Sequence, residues 1–219
     1  MQKIRSENIL TRDFYLRNAN QVAIDLLGKL LVHCSTEGMT AGIIVEVEAY
    51  VGPEDKGAHS YMRKRTKRTE VQFGLGGYAY IYSIYGIHSC FNVVTNVKDK
   101  PEVVLVRAIE PVYGIELMKK RRETNTIFNL CNGPGKLCQA MGITKEQYGY
   151  DLCRPDLFIA SYQPTSIKDI LISPRINIDY AEECRDYLWR YYLKENPYVS
   201  KVPRRYNIHQ QELRAQIPF

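Results

Sequence analysis

The segment from Val71 to Val97 constrains the fold more than any other part of the chain, because it runs for 27 residues without an Asp, Glu, Lys or Arg. A charge-free run of this length is long enough to cross a bilayer as a helix. Its four glycines, four tyrosines and two asparagines, with local alternation, indicate instead two strands that turn at Gly86. The sequence therefore predicts a β-hairpin in a protein that does not span a membrane.

Strand and helix patterns follow one another irregularly in the rest of the chain. The β-branched stretch AGIIVEVEAY predicts a long strand; strict alternation puts Val45 and Val47 on one face, and Glu46, Glu48 and Tyr50 on the other. Strands are also predicted in EVVLVRAIEP, DLFIAS and DILISP, helices in NANQVAIDLL, VYGIELMKKRRE and NGPGKLCQAMGI, and either type in DYLWRYYL. Without regular βαβ alternation, the pattern predicts an α+β (mixed α/β) fold, with one compact domain around a largely antiparallel sheet.

Composition limits the class of protein and its partners. The chain has 219 residues and a formal charge of +6, which favours a polyanionic partner, and its 17 tyrosines are suited to stacking on bases or to half-buried sheet positions. The six cysteines form no C-x-x-C pair and indicate reduced thiols. The start MQKIRSENIL lacks the apolar run of a secretion signal. We expect a protein that is not secreted and that lies in the cytoplasm or nucleoid, or in the nucleus of a eukaryote.

The pair Glu46 and Glu48 is the leading candidate for acid–base chemistry. Gly52 and Pro53 end the strand just beyond it. A carboxylate at a strand end beside a loop is well situated as a general base, and Glu48 lies nearer that loop. The alternative is a solvated strand edge without function.

The loop after this strand contains a histidine and a cluster of cations, and each can be interpreted in two ways. His59 could bind a metal with Glu54 or Asp55, or it could line a pocket; the lack of a second His or Cys at ligand spacing favours the pocket. Five cations between residues 63 and 68 suit either phosphate contacts or a solvated loop.

Three more positions suggest a nucleic-acid partner. Tyr85 directly precedes the turn at Gly86, where a bulky exposed side chain could enter a groove as a wedge or simply pack in the turn. Arg107 interrupts an apolar strand and should be paired or functional. Lys136 lies at a predicted helix start, a position that favours phosphate, although the spacing is not that of a nucleotide-binding P-loop.

Four motifs, taken in order and spacing, resemble the 3-methyladenine DNA glycosylase family of alkyladenine type: IVEVEAYVGPEDKGAHS, YAYIYSIYGIHSCFNVV, VLVRAIEP and CNGPGKLCQAMGI. The resemblance covers about residues 6 to 201. It implies a curved antiparallel sheet with a protruding hairpin, a catalytic domain over residues 1–201 and a basic C-terminal extension of unknown role over 202–219. It also implies no metal or cofactor, a monomer, and double-stranded DNA with damaged purines as the partner.

By the same resemblance, the enzyme is a monofunctional glycosylase that flips alkylated or deaminated purines out of duplex DNA and hydrolyses the N-glycosidic bond. Glu48 is then the general base that activates water. The base pocket is implied at Tyr50, His59, Tyr82 and Asn92.

The remaining implied roles concern DNA and support of the site. Tyr85 is the wedge that fills the space of the flipped base, and Arg107 and Lys136 contact DNA phosphates. Glu46 and Tyr80 support the site from behind.

The sequence departs from the family pattern between Lys67 and Gln72, within the stretch TKRTEVQF of residues 66–73, where a proline, an asparagine and a methionine are expected. The breadth of substrates is therefore open. Two alternative functions also remain at this point. One is a non-catalytic nucleic-acid binding module, and the other is a metal-dependent phosphodiesterase that uses Glu54, Asp55 and His59.

Overall fold

The computed structural model describes residues 8–84, 86, 88–162 and 164–201, together with the backbone of 211–212. Its strands are β1 (Leu30–Ser35), β2 (Gly38–Val51), β3 (Ala79–Ile84), β4 (His88–Thr95), β5 (Glu102–Tyr113), β6 (Leu157–Ala160), β7 (Ile170–Ser173), β8 (Arg190–Leu193) and β9 (Gln211–Glu212). Its α-helices are α1 (Arg12–Tyr15), α2 (Ala19–Leu26), α3 (Ile115–Arg122) and α4 (Pro134–Met141). Short 3₁₀ segments lie at Tyr61–Arg63, Glu70–Phe73, Ile127–Asn129, Lys145–Gln147, Ile167–Asp169 and Asp179–Asp186.

All nine strands of the described chain belong to one antiparallel sheet. The main order is β3-β4-β5-β2-β8-β7-β9, and β1 joins β2 to β6 off this path. This confirms the predicted α+β fold with a hairpin, formed by β3 and β4. At its turn, Gly86 has a φ of 74°, a left-handed conformation that glycine adopts without strain. No helix in the described residues has the length and apolar character needed to cross a membrane.

Strand β2 is the centre of the sheet, and the prediction of its faces was wrong at Val45, which does not share a face with Val47. The pairing of β2 with β5 is irregular on both sides of Glu46, where Val45 and then Arg107 each lack an opposite residue. Each such bulge inserts one extra residue and shifts the alternation of side chains. Ile44 therefore packs in the same core cluster as Val47, whereas Val45 packs in the cluster on the other face.

The face of β2 that carries Glu46 and Glu48 is covered rather than solvated. β8 pairs with Glu46–Glu48, and the segment before β8 packs against the same stretch. Both glutamates have no exposed surface. The alternative of a solvated strand edge is therefore excluded.

The helices bury apolar residues against the opposite face and help to shape the site. α2 begins at the N-cap Asn18, whose side chain accepts from the backbone N–H of Asn20. α4 begins with Pro134, as suits a first helical position, and ends at Gly142 in the left-handed conformation. The helix packs on β4 and β5, and its first residue, Pro134, reaches the same cavity as the β3–β4 hairpin.

Two predictions fall wholly or mostly outside the described residues. Tyr85 is one of them, and most of the C-terminal extension over 202–219 is the other. Within that extension, the backbone of Gln211–Glu212 pairs with β7 at the edge of the sheet.

Candidate active site

A cavity of about 410 Å³ opens where the end of β2, the base of the β3–β4 hairpin and the segment after β7 meet. It has the volume and aromatic lining of a small-molecule pocket. Of the predicted site residues, the structure brings six to its wall: Tyr50, His59, Tyr80, Tyr82, Asn92 and Arg107. Residues far apart in the chain therefore line one cavity; their role as a base pocket stays a prediction.

Glu48 lies directly behind this wall. The hydroxyl of Tyr50 donates to its Oε2 at 2.9 Å, and the backbone N–H of Ile176 donates to its Oε1 at 2.8 Å. The Arg107 guanidinium pairs with Oε1 at 3.3 Å. A carboxylate accepts about four hydrogen bonds. Among the described residues three donors point at Glu48, so one acceptor position is left for a further ligand.

Glu46 has no such position left, because its bonds hold the fold together. It accepts from Arg107 at 3.0 Å, from Arg190 at 2.8 Å, and from the N–H and hydroxyl of Ser200, both at 2.7 Å. Burial opposes its charge, but Arg107, Arg190 and the Ser200 bonds outweigh burial and lower the pKa of Glu46 below its ordinary value. Glu46 therefore stays ionised and anchors Ser200 and the two arginines.

Arg107 is oriented by the bulge in β5. The extra residue in that strand turns its guanidinium toward β2, where it pairs with both Glu46 and Glu48. The side chain is 9% exposed. Burial alone would lower its pKa, but the two carboxylates raise the pKa of Arg107 above its ordinary value. It is thus a fixed buried cation beside Glu48, although its expected contact was a DNA phosphate.

The aromatic residues form a connected wall. The rings of His59 and Tyr82 pack edge to face with their centroids 4.7 Å apart, and the ring centroids of Tyr80 and Tyr82 lie 5.5 Å apart. Arg68 lies within 3.1 Å of Nε2 of His59. Because a guanidinium only donates, Nε2 carries the lone pair and Nδ1–H donates to the Tyr80 hydroxyl at 2.8 Å.

His59 is consequently a neutral wall residue. Burial lowers its pKa most, the positive charges of Arg68 and Lys64 lower it further, and the resulting pKa is about 4. A metal site at His59 has no support, because Asp55 is bound elsewhere and no group of three His, Cys, Asp or Glu in the described residues is arranged to hold a metal ion.

Asn92 lies on β4 at the inner end of the cavity and is 1% exposed. Its Nδ2 donates to the carbonyls of Tyr80 and Cys90, at 3.0 and 3.3 Å. These two bonds fix the orientation of the side-chain amide. Asn92 thus lines the cavity, whereas its place on the floor of a base pocket and its effect on substrate choice stay predictions.

The loop after β2 is held by an ion pair that the sequence did not reveal. Arg175 and Asp55 form a bidentate pair, at 2.5 and 2.8 Å, in which both side chains are fully buried. The same guanidinium lies 4.6 Å from the ring of Tyr50. A Cβ on Gly57 would lie 3.1 Å from both Arg175 and Asp55, so this position favours glycine. This pair fixes the wall formed by Tyr50 and His59.

Three other pocket residues also escaped sequence reasoning. Arg68 is the cation of the 63–68 block that reaches the pocket; its guanidinium stacks on Tyr82 at 5.0 Å. Tyr180 lies at the rim, 66% exposed, with its hydroxyl 3.3 Å from the carbonyl of Gly57. Gln72 lines the interior and is 1% exposed. A tyrosine after a late strand and a glutamine in a basic loop carry no recognisable pattern.

Positive charge surrounds the mouth of the pocket. An open groove next to it is lined by Lys67, Lys145 and Tyr148, and shares Arg68 and Tyr82 with the pocket. Lys136 lies in the first turn of α4 and donates to Asn132 at 2.8 Å; burial, then the charges of Arg122 and Lys201, lower its pKa. These cations could contact a polyanion that covers the pocket.

The family described as methylpurine-DNA glycosylase (MPG) matches residues 13–197. A protein of Clostridium novyi (strain NT) named "Putative 3-methyladenine DNA glycosylase" is 48% identical over 200 residues, which is 88% of this chain and 98% of the relative. A protein of Bacillus mycoides (strain KBAB4) with the same name is 50% identical over 198 residues, 86% of this chain and 97% of its own.

Proposed function

Because the chain belongs to the methylpurine-DNA glycosylase family, we propose that this DNA N-glycosylase starts base excision repair by releasing 3-methyladenine, 7-methylguanine, hypoxanthine and ethenoadenine from duplex DNA. The name of its relatives gives 3-methyladenine as their base. The observation that carries the proposal for this chain is a single buried constellation, in which an aromatic pocket lies directly against the carboxylate of Glu48.

The pocket suits a flipped purine. Extrusion from the duplex costs a few kcal/mol, and less for a damaged base. Stacking on aromatic side chains returns about 1–3 kcal/mol per base. Tyr50, Tyr82 and neutral His59 provide these surfaces, and an alkylated cationic purine gains further from the tyrosine rings.

Glu48 acts as general base in the proposed step. The C1′–N9 bond breaks, its electron pair leaves with the purine, and positive charge develops on the sugar. A water oxygen bonds to C1′ while Glu48 takes its proton and later releases it to solvent, which leaves an abasic site. Cationic alkylated purines leave as neutral bases, whereas hypoxanthine and ethenoadenine leave as anions that take up a proton from solvent. The charge of the carboxylate also stabilises the cationic sugar.

Arg107 and Tyr50 are positioning residues in this scheme. Each donates to Glu48 and also lines the pocket, so the carboxylate is held on the side from which substrate arrives. This use of Arg107 agrees better with its burial than a contact with a DNA phosphate does.

DNA is proposed to lie over the mouth of the pocket. Lys67, Arg68 and Lys145 surround the adjacent groove, and Lys136 lies on the other side at the start of α4. We propose Tyr85 as the wedge that replaces the flipped base, since its neighbour Gly86 is exposed at the hairpin tip. The family match ends at residue 197, which supports a catalytic domain that ends near residue 201.

The test uses duplexes with one damaged purine, incubated with the protein in EDTA and then cleaved at abasic sites with alkali. We expect release of all four bases in EDTA, and a monomer by light scattering. No release of any modified purine would refute a glycosylase and leave a non-catalytic binding module. Release that requires a divalent metal would refute the hydrolysis by Glu48 described above.

A further inference from the structure

Arg68 lies at the wall of the pocket as a cation that pairs with no carboxylate of the described residues. Its side chain lines the cavity, with Nη2 3.1 Å from Nε2 of His59 and the guanidinium carbon 5.0 Å from the ring centroid of Tyr82. Arg107 also lines the cavity, but it pairs with the two buried glutamates of β2. A molecule in the cavity therefore meets the charge of Arg68 with no carboxylate bound to it in the described part of the chain.

The charge of Arg68 acts on several elements around the cavity. Burial lowers the pKa of His59 most, and Arg68 lowers it further. Burial raises the pKa of Tyr80 and of Cys90, and the charge of Arg68 opposes that rise at both, at Tyr80 also through a side-chain hydrogen bond. These three residues line the cavity from the loop after β2, from β3 and from β4. The charge of Arg68 therefore extends into the space where a flipped base is proposed to lie.

The loop around Arg68 is held in place. The hydroxyl of Tyr148 lies 3.2 Å from the carbonyl oxygens of both Lys67 and Arg68, and it accepts from the N–H of Val71 at 3.1 Å. At the other end of the side chain, the guanidinium packs on the ring of Tyr82. A charge that is fixed before the reaction stabilises a transition state without the cost of reorganisation. Arg68 is fixed in this way beside the cavity.

The damaged purines differ in the charge that they carry as they leave. 7-Methylguanine is cationic in DNA and leaves as a neutral base, whereas hypoxanthine and ethenoadenine are neutral and leave as anions. When the C1′–N9 bond of hypoxanthine breaks, the electron pair stays on the purine and spreads over its ring nitrogens and O6, until a proton from solvent neutralises it. A fixed cation next to this developing charge lowers the barrier. The same cation repels a purine that is already positive.

Resting on the proposed function, we propose that Arg68 determines specificity by stabilising the departing anion of neutral purines. It transfers no proton, since a guanidinium stays protonated. Its charge accelerates the release of hypoxanthine and ethenoadenine and gives no assistance to 7-methylguanine. The carboxylate of Glu48 then stabilises the sugar cation and Arg68 stabilises the leaving base, so that opposite charges act on the two ends of the breaking bond.

The first test measures single-turnover release of hypoxanthine and of 7-methylguanine, at saturating enzyme, by the wild-type protein, Arg68→Gln and Arg68→Lys. We expect Arg68→Gln to release hypoxanthine at least about tenfold more slowly, a smaller factor than a fully buried donor supplies because Arg68 is exposed. Release of 7-methylguanine should be unchanged or faster. Arg68→Lys keeps the charge, so its rate with hypoxanthine should lie closer to the wild type than that of Arg68→Gln.

Other roles of Arg68 would give other results. If it only contacted a DNA phosphate, Arg68→Gln would weaken binding of both duplexes alike and leave both rates at saturation unchanged. If it only supported His59 and Tyr82, both rates would fall by the same factor. Either result would overturn the inference.

The matched control is Arg65→Gln, the same change three residues earlier in the loop. The guanidinium of Arg65 pairs with Glu70 at 2.6 Å, and Arg65 is not among the described residues that line the cavity. This variant should leave the ratio of the two release rates unchanged. An equal shift of the ratio in Arg65→Gln would mean that any cation of the loop has the effect, and that result would overturn the assignment to Arg68.

A second test uses ethenoadenine, which leaves as an anion but has no O6. Arg68→Gln should slow its release as well, because the charge of the leaving base and not one oxygen atom is stabilised. Slower release of hypoxanthine alone would overturn the inference while leaving the glycosylase activity intact. No release of any base by the wild-type protein would overturn the proposed function itself, and the inference with it.

Discussion

Replacing Glu48 with glutamine should stop catalysis at a modest cost in stability. Glutamine has the shape of glutamate, so its carbonyl oxygen can still accept from Ile176 and Arg107, and its amide can donate to the hydroxyl of Tyr50. Arg107 also keeps its bond to Glu46. We therefore expect a loss of about 1–3 kcal/mol in the free energy of unfolding.

The loss in rate should be much larger. A general base contributes about 10²- to 10⁴-fold, which corresponds to about 3–5 kcal/mol of activation free energy. Loss of the negative charge beside the developing sugar cation adds to this. Single-turnover release of hypoxanthine by Glu48→Gln should therefore fall at least about 100-fold, while binding to the same duplex is kept.

The matched control is Glu46→Gln, the same change two residues away in the same buried network. Glu46 accepts four bonds from three residues, and its neutralisation leaves Arg190 without a carboxylate partner. We expect this variant to lose about 3–5 kcal/mol of stability. Where it remains folded, it should keep far more activity than Glu48→Gln. Activity of Glu48→Gln within about tenfold of wild type, a smaller factor than a general base supplies, would refute the role of Glu48.

Three further effects should be measurable. Because burial and cations lower the pKa of His59 from 6.5 to about 4, the unfolded chain binds a proton that the folded chain does not. The contribution of His59 to the free energy of unfolding should be fully present above about pH 6.5 and should fall by about 2 kcal/mol by pH 5. Urea unfolding of His59→Gln should not show this loss. Asp55→Asn should cost about 3–5 kcal/mol, since it leaves Arg175 charged and buried without its partner. Replacing Lys67 and Lys145 with alanine should weaken the salt dependence of DNA binding: the slope of the logarithm of the binding constant against the logarithm of the salt concentration should decrease in magnitude by about 2.

For each of these three predictions, a specific result would contradict it. Equal pH dependence in wild type and His59→Gln would mean that His59 is not held neutral. The exposed pair between Arg17 and Asp25 is the control for Asp55, and Asp25→Asn should cost less than about 1 kcal/mol. Similar losses in the two aspartate variants would contradict an anchoring role for Asp55. An unchanged salt slope would remove Lys67 and Lys145 from the DNA surface.

Local patterns were sufficient to predict most elements of secondary structure. The periodicity of a helix or a strand is set by residues only a few positions apart in the chain. For this reason α2, the hairpin at Gly86 and the strand with Arg107 could be predicted directly. The resemblance to a family, and not the local pattern, grouped Tyr50, His59 and Tyr82, which line one cavity in the structure.

The faces of β2 could not be predicted, because a bulge depends on how two strands pair and not on the pattern of either one. Two bulges around Glu46 reverse the alternation and turn Arg107 toward the carboxylates. The sequence pattern alone assigned Glu46 and Glu48 to the same face, and it could not show that this face is covered by β8 and the segment before it.

The sequence by itself determined the fold class and the hairpin, because these follow from local periodicity, whereas the pocket residues were implied only by the family resemblance. The tertiary structure alone decided the partners of the buried charges. Asp55 and Arg175 are 120 residues apart in the chain, and Glu46 and Arg190 are 144 apart. Such pairs form only after the sheet brings distant segments together, and burial then makes each charge require the other.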